Sequence, residues 1–270
     1  MSGSRHHRTA LITGASTGIG AEYARGLAER GYSLVLVARR AELIDDLGAD
    51  LSERWGVSVR SLPADLSSPA GLGKVEDRLR ADGSGDDAPI DLLVNNAGRG
   101  DGGEFVRQEY DEIDSMLDLN IRAVVHLTRA VLPVQIARRE ADERRHPLGV
   151  VNVSSLAGEL PVNPGGSMYG GTKTFVTLWS ESVAAEVAEH GLHVTAVLPG
   201  YVRTDMTRGL QESGMPDLAF VSKERVVRDS LRAWAAGRTS VVPGVQYRTA
   251  DGLLRAVPRS LFKALARRMR

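Results

Sequence analysis

The sequence lacks several residue types and patterns that define whole classes of protein. It has no cysteine, so disulfide bonds and thiol chemistry are excluded. Its six histidines are scattered, without the spacing that binds a metal ion. The 34 basic and 34 acidic residues cancel, so net charge gives no argument for nucleic acid as a partner. We therefore expect a protein that binds neither a metal nor nucleic acid.

Long hydrophobic runs are also missing. No stretch approaches the ~20 apolar residues that span a bilayer. The polar residues 1–8 lead into an apolar run that is too short for the core of a signal peptide. With 270 residues, 42% hydrophobic and 25% charged, the chain has the profile of a globular protein. We predict one domain over residues 1–270, in the cytoplasm.

Lysine is scarce, because only four of the 34 basic residues are lysines. One of the four, Lys173, follows Tyr169 by four residues, and residues at this spacing share one face of a helix. A cation close to a phenol lowers its pKa, which would suit the phenol for acid–base catalysis near neutral pH. The alternative is a chance pair on a solvated helix face.

Short apolar runs alternate with helical patterns along the whole chain. Helical patterns lie near residues 19–30, 41–54, 69–82, 111–145, 168–189 and 223–236, and the apolar runs occupy 9–13, 33–38, 57–62, 90–94, 150–153, 193–198 and 240–242. This alternation indicates βαβ units with a parallel sheet that is covered on both faces. The predicted fold is α/β, a single-domain Rossmann-type doubly wound parallel sheet flanked by helices.

A glycine-rich turn follows the first predicted strand. In residues 13–20, TGASTGIG, Gly14 permits a tight turn, Gly18 lets the backbone approach a phosphate, and Gly20 allows close packing of the helix on the sheet. The N-terminus of the next helix then offers N–H groups to a pyrophosphate. The alternative is a glycine-rich turn without a ligand.

The residues after the second predicted strand indicate which dinucleotide binds. NAD-binding folds usually carry Asp or Glu at this point, which binds the adenosine ribose. This chain has Ala38 and then Arg39, which can pair with a 2′-phosphate. We predict NADP(H) over NAD(H). The alternative is that Arg39 and Arg40 are solvated residues at the start of a helix.

Six motifs in order resemble the short-chain dehydrogenase/reductase family. They are TGASTGIG at 13–20, NNAG at 95–98, Asn120, SSLAG at 154–158, YGGTK at 169–173 and the Pro199-Gly200 pair. The match runs from about residue 9 to about residue 207. The resemblance implies a Rossmann-type oxidoreductase that uses NAD or NADP.

The resemblance also implies which residues bind the cofactor. The glycine turn would bind the pyrophosphate and adenosine ribose, and Asp65 with Leu66 would lie at the adenine. The other positions implied are Asn95, Ala97 and Gly98 along the centre of the cofactor, and Pro199, Gly200, Val202 and Thr204 at the nicotinamide carboxamide. Within the glycine turn the implied residues are Gly14, Ser16, Thr17, Gly18, Ile19 and Gly20. Asn95 could also serve to pin neighbouring strands.

Four residues match the catalytic positions of the family. Tyr169 would be the general acid/base, and Ser155 would orient the substrate carbonyl. Lys173 would lower the Tyr169 pKa and bind the nicotinamide ribose, while Asn120 would support a proton relay. Ser155 is chosen over Ser154 because it immediately precedes Leu-Ala-Gly. It stands fourteen residues before Tyr169, where relatives lead us to expect thirteen, and we expect loop 159–166 to absorb the extra residue.

The remaining expectations concern substrate and partners. The resemblance implies that residues 205–222 cover the substrate, and five apolar residues there could line a pocket for a hydrophobic carbonyl or alcohol: Met206, Leu210, Met215, Leu218 and Phe220. The alternative is that these five residues form the ordinary core of small helices. The alternatives to a reductase of simple hydrophobic carbonyls are a 3-oxoacyl-thioester reductase of lipid metabolism and a non-catalytic NADP-sensing protein.

The segments 111–145 and 168–189 resemble those that pair family members as homodimers or homotetramers. In the basic C-terminal extension 244–270, residues 258–270 form a candidate helix that we expect to pack on protein, with an anionic membrane surface as the alternative.

Overall fold

The computed structural model describes residues 8–249 except 86, 101–102, 142–145 and 161–162. In this part of the chain, seven parallel strands form a sheet in the order β3-β2-β1-β4-β5-β6-β7. The strands are β1 (Thr9–Thr13), β2 (Ser33–Ala38), β3 (Val59–Pro63), β4 (Leu92–Asn95), β5 (Gly149–Val153), β6 (His193–Val197) and β7 (Ser240–Val241). The predicted doubly wound parallel sheet is confirmed. Strand order reverses between β1 and β4, the position where such sheets bind ligands.

Helices cover both faces of this sheet. They are α1 (Gly18–Ala28), α2 (Ala41–Trp55), α3 (Pro69–Leu79), α4 (Tyr110–Leu117), α5 (Ala123–Ala141), α6 (Ser167–Val187), α7 (Arg208–Glu212) and α8 (Lys223–Ala235). Among the residues described, no helix has the length and apolar character needed to cross a bilayer.

The side chains of each central strand alternate between two cores. Ala10 and Ile12 of β1 pack in a cluster with α1, α2 and α8, whereas Leu11 packs in the opposite cluster with α3, α5 and α6. All three are fully buried, which removes apolar surface from water on both faces and stabilises the sheet by about 1.5–3 kcal/mol for each large side chain. A sheet buried on both sides explains why its strands read as continuous apolar runs.

The predicted helical segment 111–145 contains a π turn. The α-helices α4 and α5 are joined by a π-helical turn, Asp118–Arg122. A π turn holds one more residue than an α turn, and such turns occur often at functional sites. The predicted helical segment is confirmed over residues 111–141, whereas 142–145 lie outside the described residues. An apolar period of 3.6 residues does not reveal the π turn. Asn120 lies in this turn, fully buried.

Other element ends differ by small amounts. The strands β3 and β4 begin two residues later than predicted, within the usual uncertainty of element ends. In the C-terminal extension, residues 245–249 are helical. The basic segment 258–270 lies outside the described residues.

Candidate active site

The predicted site residues gather at one edge of the sheet. Gly14 follows β1, Arg39 follows β2, Asp65 follows β3, Ser155 follows β5 and Pro199 follows β6. Because all strands are parallel, their carboxyl ends meet at the same edge, and the reversal of strand order between β1 and β4 opens a crevice there.

The glycine turn has the geometry of an anion-binding loop. Gly14 and Gly18 have φ values of 65° and 61°, which glycine adopts without strain. A Cβ on Gly20 would lie 2.1 Å from the carbonyl oxygen of Gly14. Thr17 makes no side-chain cap to α1, and the first turn of this helix holds no acidic residue. The N–H groups and the positive dipole end of α1 therefore fit the pyrophosphate of a dinucleotide.

Asn96 braces this turn, and sequence reasoning missed it. Its Nδ2 donates to the carbonyl oxygens of Thr13 (3.0 Å) and Gly14 (3.2 Å). In return, the Thr13 hydroxyl oxygen accepts from the backbone N–H groups of Asn96 (2.9 Å) and Ala97 (3.0 Å). The loop after β4 is thereby fixed to the loop after β1. The doubled asparagine of the NNAG motif was the available signal.

Asn95 instead ties strands together beneath the site. Its Nδ2 donates to Asn152 Oδ1 at 2.9 Å and to Thr128 Oγ1 at 3.1 Å. Asn152 Nδ2 then donates to Ser180 Oγ at 2.9 Å. This buried polar chain crosses from α5 through β4 and β5 to α6. Asn95 therefore pins neighbouring strands, the structural role that we considered for it from the sequence.

Two arginines, Arg39 and Arg40, follow β2 beside the glycine turn. Arg40 Nη2 lies 3.5 Å from Ser16 Oγ of the glycine turn. The Asp65 pKa is lowered, mainly by hydrogen bonds from Ser67 and also by the charge of Arg39. Asp65 Oδ1 accepts from Ser67 Oγ at 2.7 Å and from Ser67 N at 3.0 Å. Both arginines are exposed, so their charges are open to a phosphate. Leu66 is buried in the core beside α3.

Tyr169 and Lys173 share one face of α6, as predicted. Lys173 Nζ lies 5.7 Å from the centre of the Tyr169 ring and donates to the Val153 carbonyl at 2.9 Å. Burial lowers the pKa of Lys173 to about 8. Burial also raises the pKa of Tyr169, against a smaller lowering by a hydrogen bond with Ser155. The pKa of Tyr169 is thus raised and not lowered as predicted, because desolvation of the phenol dominates.

The two adjacent serines have different surroundings. The Ser155 hydroxyl is near enough to the Tyr169 phenol to act on its pKa, which it lowers, and its Oγ accepts from Ala157 N at 3.1 Å. Ser154 is buried, and its hydroxyl donates to the Lys173 carbonyl at 2.8 Å. Ser155 is therefore the serine that faces the phenol, despite its unusual spacing, while Ser154 attaches the loop after β5 to α6.

Asn120 lies in the π turn, and its side-chain amide is bonded to neighbouring residues. Its Nδ2 donates to the Arg99 carbonyl (2.9 Å) and to Thr172 Oγ1 (3.1 Å), and its Oδ1 accepts from Arg99 N (2.9 Å). A Cβ on Gly98 would lie 3.2 Å from Asn120 Oδ1 and 3.4 Å from Lys173 Nζ. The glycine thus keeps open the space between these two side chains.

Gly100 contacts the Tyr169 ring, which sequence reasoning did not foresee. A Cβ at this position would lie 3.0 Å from Cδ2 and 3.2 Å from Cε2 of the ring. The backbone of the loop after β4 therefore forms one wall against the face of the phenol. Gly98 was predicted as a site residue, but Gly100, two residues further along the chain, was not.

We expect Gly100→Ala to displace the Tyr169 ring and to lower kcat about ten- to a hundredfold, since catalysis tolerates little misplacement. Cofactor affinity should stay near that of the wild type. Gly85→Ala is the control, because a Cβ there meets no atom within 4 Å. Steady-state kinetics of the two variants test this contact, and equal kcat values in both would contradict it.

The predicted covering segment only partly follows expectation. Met206 and Leu218 are 55% and 83% exposed, whereas Phe220 is buried. The Phe220 ring packs near Tyr201 (ring centres 6.4 Å apart) and under the Arg203 guanidinium at 4.5 Å. Leu210 and Met215 are half-buried. The five residues thus do not share one apolar pocket, because Phe220 belongs to the core and two others face solvent.

The Pro199-Gly200 segment joins this region to the site. The Pro199 carbonyl accepts from Leu156 N at 3.0 Å, directly after Ser155. Val202 is buried and pairs with Val221. Thr204 reaches the glycine turn, since a Cβ on Gly18 would lie 3.3 Å from Thr204 Cγ2. The predicted nicotinamide-side residues therefore lie between the catalytic group and the anion-binding turn.

An anion-binding turn beside a tyrosine–lysine–serine group is the arrangement of a dinucleotide-dependent oxidoreductase. Comparison with known proteins identifies the family of oxidoreductases. The model of the short chain dehydrogenase family matches residues 8–214. The chain belongs to the short-chain dehydrogenase/reductase family, whose members are NAD(P)-dependent oxidoreductases.

Individual relatives are moderately similar. "Oxidoreductase UcpA" of Escherichia coli (strain K12) is 36% identical over 210 residues, covering 78% of this chain and 75% of the relative. A short-chain dehydrogenase from Sphingobium yanoikuyae in complex with NADPH has a TM-score of 0.78 and 36% identity, covering 92% and 94% of the two chains. A bulky-bulky ketone specific alcohol dehydrogenase from Comamonas testosteroni has a TM-score of 0.76 and 32% identity, covering 93% and 95%.

Proposed function

We propose that the protein is an NADP(H)-dependent reductase of hydrophobic carbonyl compounds, with Tyr169 as its proton donor. One observation carries the proposal: Tyr169 lies beside Ser155, whose hydroxyl acts to lower the phenol pKa, and shares one helix face with the buried Lys173. The residues lie at the sheet edge that also carries the glycine turn, so a bound dinucleotide would reach them.

The chemistry divides among these side chains. The cofactor, when bound, supplies the hydride to the carbonyl carbon. Tyr169 gives its phenolic proton to the carbonyl oxygen, which gains negative charge as the hydride arrives. The bond that Ser155 Oγ accepts from Ala157 N fixes the hydroxyl, which would donate its hydrogen to the substrate oxygen as charge develops.

Lys173 and Asn120 would support the proton transfer. With a pKa near 8, Lys173 can exchange a proton near neutral pH more readily than an ordinary lysine. Gly98 keeps the space between Lys173 Nζ and Asn120 Oδ1 free of a side chain. We infer that a water in this space passes protons toward solvent, and that Lys173 also binds the nicotinamide ribose.

The preference for NADP(H) rests on the exposed Arg39 and Arg40, and the similar Sphingobium yanoikuyae dehydrogenase is a complex with NADPH. We expect Arg39→Asp to raise the KM for NADPH about ten- to a hundredfold, since a charged hydrogen bond contributes about 1.5–3 kcal/mol. The KM for NADH should change little.

Arg54→Asp is the matched control for this variant, because Arg54 is an exposed residue at the far end of α2. Initial rates with both cofactors measure the effect. Equal use of NADPH and NADH by the wild-type protein would overturn the proposed preference.

The substrate class has two candidates. Similarity to the bulky-bulky ketone specific alcohol dehydrogenase supports a bulky ketone. The "Very-long-chain 3-oxoacyl-CoA reductase" of Anas platyrhynchos is 33% identical, and the match covers 74% of this chain and 61% of the relative. That second likeness favours a 3-oxoacyl thioester. A panel of ketones and 3-oxoacyl thioesters, compared by kcat/KM, separates the two, and we propose the ketone as the better substrate.

We also propose that two or four copies associate through the exposed face of α6. Leu178 is 60% exposed and Phe175 is 39% exposed, and the Phe175 ring stacks on Trp179 with ring centres 6.1 Å apart. An apolar strip of this kind on a helix face fits a contact between copies. Light scattering gives the mass, and a monomer at micromolar concentration would contradict the proposal. A cytoplasmic location stays a prediction from the sequence.

A further inference from the structure

Tyr247 lies behind the candidate site, and no sequence motif includes it. It belongs to the helical residues 245–249. Its ring covers Gly200, where a Cβ would lie 2.2–2.4 Å from three ring atoms. Gly200 is therefore required by a protein contact as well as by its predicted place near the nicotinamide. The ring also packs with a small core cluster of Leu156, Ala196 and Leu198.

The Tyr247 hydroxyl joins two points that are distant in sequence. It accepts a hydrogen bond from Tyr201 N at 3.1 Å and donates one to the carbonyl oxygen of Ala219. Tyr201 and Ala219 stand at the two ends of residues 202–218, which we call the flap. Val221 N donates to the Tyr201 carbonyl at 2.8 Å. The base of the flap is thus closed by one backbone bond and by the two bonds of a single hydroxyl.

Apart from the buried Val202 and the hydrogen bonds of Thr207 and Gln211 within the flap itself, few contacts hold the flap in place. Its residues Met206 and Leu218 are mostly exposed, and its ion pairs, Arg203 with Asp217 and Arg208 with Asp205, lie at the surface. Exposed pairs contribute little stability, and a segment with few buried contacts opens at low cost in free energy. The contacts at the base therefore carry a large share of its order.

Tyr247 also connects the flap to the catalytic group. Leu156, in its core cluster, directly follows Ser155 and donates its N–H to the Pro199 carbonyl at 3.0 Å. At the other end, Thr204 of the flap contacts Gly18 of the anion-binding turn. A change in the position of the flap would therefore affect both the glycine turn, where we expect the cofactor, and the segment next to Ser155, where we expect the substrate.

We propose that Tyr247 is a positioning residue that holds the flap closed over the site and thereby sets substrate affinity. The kinetic part of this inference rests on the proposed function, whereas the closure of the flap does not. Because the hydroxyl acts on the flap and does not touch the reacting atoms, its loss should affect substrate capture more than the chemical step.

Tyr247→Phe tests the hydroxyl alone, since the ring stays on Gly200. We expect the KM for the carbonyl substrate to rise about tenfold with kcat changed less than about threefold. Trypsin should cleave the flap at Arg208 about tenfold faster, as followed by mass spectrometry of the fragment that ends there. Restoring tyrosine in the variant background should restore both values.

Tyr23→Phe is the matched control. It removes the hydroxyl of the fully buried Tyr23, which lies 2.6 Å from Ser230 Oγ between α1 and α8, away from the flap. This variant should lose stability without faster cleavage at Arg208. Wild-type cleavage and KM in Tyr247→Phe, or equal changes in both variants, would overturn the proposal. If the wild-type protein reduces no carbonyl compound, the proposed function fails, and the trypsin comparison alone still decides the role of Tyr247.

Discussion

Tyr169→Phe lowers kcat by about two to four orders of magnitude, the range that general acid catalysis contributes, and leaves cofactor binding intact. The reason is that the variant keeps the ring against Gly100 and beside Lys173 but removes the only proton on that side chain that can pass to the substrate oxygen. Stopped-flow or steady-state consumption of NADPH measures the rate, and fluorescence titration measures the cofactor affinity.

The two neighbouring serines provide the control for this result. Ser155→Ala should lower kcat about a hundredfold or more, as loss of a positioned donor does. Ser154→Ala should instead lower the free energy of unfolding by about 1 kcal/mol, because its hydroxyl bonds the backbone of α6. Near-normal turnover in Tyr169→Phe, or a larger kinetic loss in Ser154→Ala than in Ser155→Ala, would contradict the assignment.

Gly20→Ala abolishes measurable cofactor binding. A Cβ at this position would lie 2.1 Å from Gly14 O and 2.5 Å from Asn96 Nδ2. Neither atom can move away at low cost in free energy, because Gly14 O belongs to the backbone and Asn96 Nδ2 braces the glycine turn. The turn must open, and we expect at least a hundredfold loss of NADPH affinity together with about 1–3 kcal/mol of stability.

Gly73→Ala is the matched control for Gly20→Ala. Gly73 lies within α3, and a Cβ there meets no atom within 4 Å. This substitution should stabilise the protein by about 0.5–1 kcal/mol through the better helix propensity of alanine. Calorimetric titration with NADPH gives the affinities, and an unchanged affinity in Gly20→Ala would show that the turn does not hold the cofactor.

Much of the site follows from local patterns. The glycine turn after β1 could be recognised because its requirements, a tight turn and a free helix N-terminus, are satisfied by residues adjacent in sequence. Tyr169 and Lys173 could be placed together because helix geometry alone fixes residues four apart. The parallel sheet likewise followed from the alternation of strands and helices.

The rest depends on contacts between distant segments. Gly100 meets Tyr169 only because the loop after β4 folds back on α6, and Tyr247 reaches Gly200 from 47 positions away in the numbering. The π turn at Asn120 adds one residue to a helix. This extra residue changes the apolar pattern of the sequence too little for the turn to be predicted from it. The buried chain from Thr128 to Ser180 likewise requires three-dimensional neighbours.

The pKa of Tyr169 shows the same limit. The presence of a lysine four residues away suggested a lowered pKa, but the sign depends on how far the phenol is removed from water. Burial raises the pKa of Tyr169 and lowers that of Lys173.

The central claim is direct hydride transfer from NADPH to a carbonyl carbon at Tyr169. Its most direct test uses NADPH that carries deuterium at the transferable position of the nicotinamide, with each stereoisomer tried in turn on a panel of bulky ketones. We predict that the wild-type protein places the deuterium on the carbinol carbon of an alcohol product, that one stereoisomer alone transfers it, and that Tyr169→Phe does so at least a hundredfold more slowly. A wild-type protein that binds NADPH but transfers deuterium to no carbonyl compound would contradict the account.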